Sequence, residues 1–377
     1  MKIIIAPDSF KESLTAKQVC NAIEAGLKRV FSDAQYVSVP VADGGEGTVQ
    51  SLVDATLGEI INLTVTGPLG TPVEAFYGIL GDRQTAVIEM AAASGLDLVP
   101  SELRDPKLTS SYGTGELIKA ALDQGINKLI IGLGGSATND GGIGLLAALG
   151  VKFIDKDGQT LATNGATLQL IHSIDSSKLD KRFVECEISI ACDVDNPLCG
   201  PFGASATFGP QKGASIEDIS LLDSGLLHYS QIIKGQFGLD LKDKPGAGAA
   251  GGVAVALLAF SSATMKTGIE LVLKTVKLNE QLDGADIVFT GEGRIDEQTI
   301  HGKTPMGVAQ LAKQFNLPVI AIAGCLGENY QAVYQCGIDA AFAATPKAMP
   351  LQEAFLKAPE NVANLAENIA RTLKITT

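Results

Sequence analysis

The strongest constraint on this chain is a grammar of apolar strand, turn and helix that opens it, lapses, and returns in the last third. Residues 3–6 form a continuous apolar run of strand length, broken by Pro7-Asp8-Ser9. Thr15 is a good N-cap for a helix reaching about Val30, with Val19, Ile23 and Leu27 as its inward stripe. Residues 36–41 give a second strand, Asp43-Gly-Gly-Glu-Gly a turn, and 48–57 a second helix. Past residue 280 the alternation resumes. It gives a strand at 286–289, a polar loop over 290–303 and a helix over 305–315 with Pro at its start. Strands at 318–323 and 340–344 follow, then helical pattern over 351–373. Near-continuous apolar strands alternating with helices belong in a parallel sheet covered on both faces.

Between these ends the pattern changes. Segments 59–65, 73–80 and 85–90 read as antiparallel strands joined at Gly67-Pro68 and Gly81-Asp82. A helix near 114–122, a strand at 128–133, a Gly-rich loop, another helix and a strand at 187–192 follow. The expected fold is therefore α/β, with two dissimilar α/β domains and a cleft between them. One is a doubly wound, Rossmann-like parallel-sheet domain built from 1–59 and 280–377; the other is a mixed α/β insertion over 60–279. A length of 377 residues suits about two to three domains.

Composition removes several classes of partner. With 29 Lys and Arg against 42 Asp and Glu, the net charge is −13, which repels phosphate backbones and anionic lipids. Nucleic acid and membrane surfaces are excluded as expected partners, and an anionic substrate needs a local basic pocket. Six cysteines form no CxxC and stand at no zinc-like spacing from the three histidines, so reduced thiols are expected. Residues 245–265 carry no charge but are mostly Gly and Ala, with a short apolar part over 253–260 that fails as a membrane span. A soluble, cytoplasmic protein is the expectation.

Ligands of a doubly wound sheet sit beyond the carboxyl ends of its strands. After the first predicted strand come Asp8, Ser9 and Lys11; after the second, Asp43 and Glu46; after the strand ending at Phe289, Glu292, Arg294 and Asp296. Carboxylates suit Mg²⁺ and proton abstraction, and Lys and Arg suit phosphoryl charge. Polar loops carry charge for solubility too, but three on one edge form a pattern. The segment 132–144, GLGGSATNDGGIG, leads from a strand into an apolar helix and offers free backbone N–H groups to an anion; a turn shaped by glycine alone is its rival. His301-Gly-Lys-Thr is not a P-loop, since Glu297 stands where that motif needs Gly, though Lys303 and Thr304 can still face phosphate. Asp193 and Asp195 end another strand at i, i+2 spacing, as paired ligands or base, or else as an Asx-turn. Lys212 sits in a turn, and the 245–252 glycine segment reads as packing.

Taken in order, APDSFKESL at 6–14, ADGGEGT at 42–48, TSSYGTGELI at 109–118 and GLGGSATNDGG at 132–142 resemble the type 1 glycerate kinases. So do ACDVDNPL at 191–198, FGPQKGAS at 208–215, PGAGAAGG at 245–252 and GEGRID at 291–296. The resemblance implies ATP-dependent, Mg²⁺-assisted phosphorylation of D-glycerate to 2-phosphoglycerate, with phosphorylation at the 3-position as the alternative. One departure is Glu12, where several members carry Gly.

Combined with the residue chemistry, this gives an expected site. Lys11 and Arg294 would meet the transferring phosphoryl group or the glycerate carboxylate, and Asp8 and Ser9 would bind substrate. Asp43, Glu292 and Asp296 would hold Mg²⁺, and Asp193 would be the general base. Gly134, Gly135, Ser136, Asn139, Asp140 and Lys212 would cradle ATP phosphates. Two other classes compete. A Rossmann-type oxidoreductase would need the GxGxxG that this chain lacks, and a sugar-acid binding protein would need the cations but not the carboxylates. A homodimer is compatible with the resemblance.

Overall fold

A computed structural model describes residues 1–376. The chain divides into two compact units, one formed by Met1–Leu57 with the segment from Thr267 onward, the other by Gly58–Lys266. The first unit therefore resumes at Thr267 rather than at residue 280. The short helix Gly268–Thr275 packs against the helices Thr48–Thr56 and Thr304–Gln314, both of that unit. A Cβ on Gly268 would lie 1.9 Å from the Asp43 carbonyl oxygen, so this junction needs glycine.

The first unit holds β1 (Lys2–Ile5) and β2 (Gln35–Ser38), together with β11 (Ile287–Ile295), β12 (Val319–Leu326) and β13 (Ala340–Ala343). All pair in parallel, in the order β13-β12-β11-β1-β2. Side chains alternate between faces, so Ile3, Ile5, Ile287, Phe289, Ile320 and Ile322 share one side. There they pack into a core with the helices Ala16–Lys28 and Ala358–Thr376. The helix Thr304–Gln314 packs on β11 and β12 from the opposite side. Both faces are covered, which is why β1 is isoleucine throughout after Lys2. Thr15 caps the first helix in a reciprocal box with Gln18, and Val19, Ile23 and Leu27 are buried as the periodicity requires.

Two elements differ from the sequence pattern. The polar loop expected from residue 290 is strand as far as Ile295, with Arg294 paired to Cys325 and Ile295 to Leu326. Gly-Glu-Gly-Arg has no apolar alternation to announce a strand, and a Cβ at Gly291 would lie only 1.8 Å from the Ile322 carbonyl oxygen of β12. The pattern over 351–373 splits into Leu351–Leu356 and Ala358–Thr376, because Pro359 can begin a helix but cannot continue one.

In the second unit β3 (Glu59–Thr66), β4 (Pro72–Ile79) and β5 (Thr85–Glu89) are antiparallel. From β5 the sheet turns parallel through β6 (Lys128–Gly132), β9 (Glu187–Ala191) and β10 (Thr264–Lys266). A small antiparallel ribbon joins β7 (Lys152–Ile154) and β8 (Ser173–Asp175). The apolar helix Ala249–Phe260 fills this unit's core, and among the described residues no helix is long and apolar enough to cross a membrane. Gly251, at φ 66°, packs its backbone on the Gly-rich loop: its carbonyl accepts the Gly141 N–H at 2.9 Å, and a Cβ there would sit 2.1 Å from the Thr138 oxygen.

The close crossing of the helices Ala16–Lys28 and Ala358–Thr376 rests on Gly26, where a Cβ would stand 2.1 Å from the Ala363 carbonyl oxygen. Gly26→Ala should push these helices apart and cost about 1–3 kcal/mol. A thermal or urea melt checks this, and an unchanged midpoint would show that the crossing relaxes freely.

Candidate active site

From β1 the first unit's sheet grows one way to β2, and from β11 the other way through β12 to β13. The order reverses between β1 and β11, and the crevice beyond such a switch point is where open α/β sheets bind ligands. A cavity of about 370 Å³ opens there. Its polar wall carries Asp8, Ser9 and Lys11 beyond β1, Asp43 and Glu46 beyond β2, Glu292 and Arg294 from β11, and Lys303. Glu292 and Arg294 stand two apart on a strand, so one face of β11 presents both.

The carboxylates here are held rather than loose. Asp8 extends the β1–β11 pairing, its N–H donating to the Gly291 carbonyl at 2.8 Å. The Ser9 N–H donates to Asp8 Oδ1 at 2.6 Å and the Thr304 hydroxyl to Oδ2 at 2.5 Å. Burial above all pushes the Asp8 carboxyl up to about 7; the charges of Asp43 and Glu292 add to this, and the Thr304 and Ser9 hydrogen bonds oppose it. Burial also raises Glu292, against the Thr299 hydroxyl donating to Oε1 at 2.7 Å and the Lys303 ammonium 3.5 Å from Oε2. Asp43 accepts the Gly45 N–H at 3.0 Å, which shapes the turn after β2.

Asp296 is placed differently from the expected metal trio. Its carboxylate accepts the Gln298 N–H at 2.9 Å, capping the turn Glu297–Ile300, and takes the Arg294 Nε–H at 3.0 Å. It does not line the cavity. Lys11 and Glu12 are exposed at the tip of a tight loop closed by two backbone hydrogen bonds between Phe10 and Leu14, each 2.8 Å. Glu12 has φ 62°, the left-handed region where glycine is at ease, which gives the sequence departure at this position a physical cost.

The residues expected to cradle ATP phosphates lie in the second unit, and most have internal partners. Gly134 and Gly135 are exposed, but Ser136, Asn139, Asp140 and Lys212 are buried. Asp140 accepts the Ser111 N–H and hydroxyl, each at 2.8 Å, and the Gly142 and Gly144 N–H groups at 3.0 and 3.3 Å. It thereby ties the start of the helix Ile143–Ala148 to that of Tyr112–Asp123. Asn139 donates to the Ser205 hydroxyl at 2.9 Å. Lys212, 2% exposed, donates to Ser136 Oγ at 2.9 Å and to the Thr138 carbonyl at 2.6 Å. Burial pushes its ammonium down to about 7, with the charge of Asp140 opposing. Asp193 lies exposed beyond the end of β9.

Sequence reasoning missed the other half of the cavity wall, Phe10 with Leu351, Ala354, Phe355 and Val362. Each reads as ordinary core or helix face, and only the fold brings residue 10 beside residues 351–362. Thr304 was in view through His301-Gly-Lys-Thr, but its hydroxyl holds a carboxylate.

Glu12→Gly should relieve the backbone and raise stability by up to about 1 kcal/mol, read as a higher melting temperature. Lys212→Met should strand the Ser136 and Thr138 oxygens and cost about 1–3 kcal/mol, with ATP affinity within a few-fold of wild type. Weakened ATP binding at unchanged melting temperature would return Lys212 to a phosphate role.

Comparison with known proteins agrees with this architecture. Residues 3–374 match the glycerate kinase family. A glycerate kinase of Haemophilus influenzae is 55% identical over 373 residues, 99% of this chain and 99% of the relative. The glycerate 2-kinase of Escherichia coli K12 is 54% identical over 375 residues, 100% of this chain and 98% of the relative. A crystal structure of a candidate glycerate kinase 2 from Salmonella typhimurium LT2 superposes with a TM-score of 0.93 at 52% identity, covering 100% of this chain and 99% of that one. With matches of this extent in sequence and in fold, the chain belongs to the glycerate kinase family.

Proposed function

We propose that this protein transfers the γ-phosphoryl group of ATP to the 2-hydroxyl of D-glycerate, and that the cavity at the β1–β11 switch point is where it does so. The observation that carries this reading is the polar wall itself, on which Asp8, Asp43 and Glu292 stand with Lys11, Arg294 and Lys303. Phosphoryl transfer asks for positioning and charge neutralisation, and a wall of both signs supplies them. The name of the Escherichia coli relative supports the 2-position.

Asp8 suits the general base better than Asp193. It is held by two hydrogen bonds on the cavity wall, and its proton affinity lies near neutrality, where a base is most effective. Arg294 keeps four guanidinium donors beyond its Nε–H to Asp296, a fork suited to the glycerate carboxylate or the phosphoryl oxygens. Lys11 and Lys303 add point charges, and Ser9 a hydroxyl for substrate. The all-oxygen pair Asp43 and Glu292 fits Mg²⁺, which binds through one or two carboxylates and keeps waters or phosphate oxygens on its other positions. Among the described residues no group of three His, Cys, Asp or Glu is arranged to hold a metal, so these two would take a metal arriving with the nucleotide. When bound, Mg²⁺ supplies neutralisation of phosphate charge. Of the glycine-loop residues expected to cradle phosphates, Gly134 and Gly135 are exposed.

Release of ADP on adding D-glycerate to enzyme, ATP and Mg²⁺, with the product's position read by phosphorus NMR, tests the reaction. Asp8→Asn should lower kcat by about 10²–10⁴-fold. In wild type kcat/KM should rise with pH to a plateau above about 7, and the variant should lose that limb. The same shift acts on stability. A carboxyl raised from 3.8 to about 7 holds its proton longer folded than unfolded, so wild type loses stability as pH climbs through that window. Asp8→Asn should therefore melt above wild type at pH 8, with the margin shrinking toward pH 4. An Asn variant within a few-fold of wild-type kcat would remove Asp8 from the base role.

A further inference from the structure

The cavity at the switch point is larger and less polar than D-glycerate requires. Its volume of about 370 Å³ falls in the range of about 300–1,000 Å³ typical of sites for drug-sized ligands, whereas glycerate is a three-carbon acid with a polar group on every carbon. Besides its charged residues the cavity is lined by apolar ones, Phe10 and, from the last two helices, Leu351, Ala354, Phe355 and Val362. Phe10 and Val362 are core residues whose surfaces end at the cavity, while Leu351 is 64% exposed at its rim. Such a wall gains nothing from a hydroxy acid, but it would desolvate a flat ring.

We infer that this apolar half is the nucleotide's base pocket, with the purine against Phe355 and Leu351 and the phosphate chain running toward Lys11, Lys303 and Arg294. The assignment rests on the phosphoryl transfer proposed above and moves the nucleotide from the second unit's glycine loop into the first unit. A purine nucleotide combines the two characters of the cavity lining, an apolar-faced ring and anionic phosphates. Asn361, half-buried, also lines the cavity. An amide offers one donor and one acceptor side by side, the pattern that pairs with the N6 and N7 edge of adenine. Asn361 is thus placed to set a preference for ATP over GTP.

Ala354 is half-buried on a short surface helix, so a larger side chain there can enter the cavity without disturbing the sheet. Titration of the full-length protein with a fluorescent ADP analogue should show Ala354→Trp weakening nucleotide binding by about tenfold or more, near 1.4 kcal/mol. Its KM for D-glycerate at saturating ATP should stay within about twofold of wild type. Leu351→Ser, which removes apolar surface instead of adding bulk, should weaken the analogue by about threefold, and Asn361→Ala should narrow the ratio of ATP to GTP affinity. Unchanged nucleotide affinity in both Ala354→Trp and Leu351→Ser, or a rise in glycerate KM alone, would overturn the assignment. A wild-type chain that binds the analogue with this variant pattern yet phosphorylates no glycerate would refute the reaction and leave the base pocket standing.

Discussion

The parallel ladder between β1 and β11 is the interaction on which the rest of the first unit depends. It aligns Ile3, Ile4 and Ile5 with Ile287, Val288 and Phe289, and carries on past the strand through Ala6 and Asp8 to Phe289 and Gly291. Asp8 and Ser9 on one strand end, and Glu292 and Arg294 on the other, take their places from that register. One residue of slip would turn Asp8 to the other side and exchange the isoleucines between the two faces of the sheet. The buried Thr290 hydroxyl, donating to the Ala6 carbonyl at 2.8 Å, fixes the same register from the side-chain level.

The ladder brings carboxylates together at a cost. Asp8 and Glu292 lose water, and Asp43 adds like charge to both, so each holds its proton more tightly than a free carboxyl. Natural chains place such unfavourable groups where chemistry needs them. The three hydroxyl and amide donors that meet these two carboxylates, from Ser9, Thr299 and Thr304, orient them without cancelling the strain. The second unit contains a superficially similar arrangement in Asp140 and Lys212, but there both charged groups are met by protein donors and acceptors. That difference separates a loop held in shape from a wall left open to a ligand.

Much of this was legible in the sequence because it depends on local rules. The Thr15 cap, the Val19-Ile23-Leu27 stripe and the antiparallel strands from Glu59 to Glu89 follow from spacing and turn chemistry, and the doubly wound sheet from strands that alternate with helices at both chain ends. Polar residues after the β1 and β2 ends pointed to the edge where the cavity opens. What was not legible depends on tertiary contact. Lys212 gave no sign of burial, since a lysine in a turn ordinarily faces water, and Asp296 looked equivalent to Glu292 until its cap was visible. The strand character of Gly291 to Ile295 is imposed by β12, which supplies the pairing that the Gly-rich segment does not signal. The apolar half of the cavity joins residue 10 to residues beyond 350, a pairing no local pattern can carry.

Splitting the first unit between the two chain ends also has a consequence for biosynthesis. β1 and β2 emerge early, but β11, which pairs with β1, follows more than two hundred residues later. The second unit is continuous in sequence and can complete its own sheet in that interval, whereas Ile3, Ile4 and Ile5 must wait with the edge that faces β11 unpaired. Contacts of such long sequence separation fold slowly and leave sticky surface exposed while they wait. Vectorial synthesis thus fixes the order of events: the unit that carries the charged cavity is the last to close, and for this chain the newborn state at greatest risk of aggregation is one in which half the protein is already native.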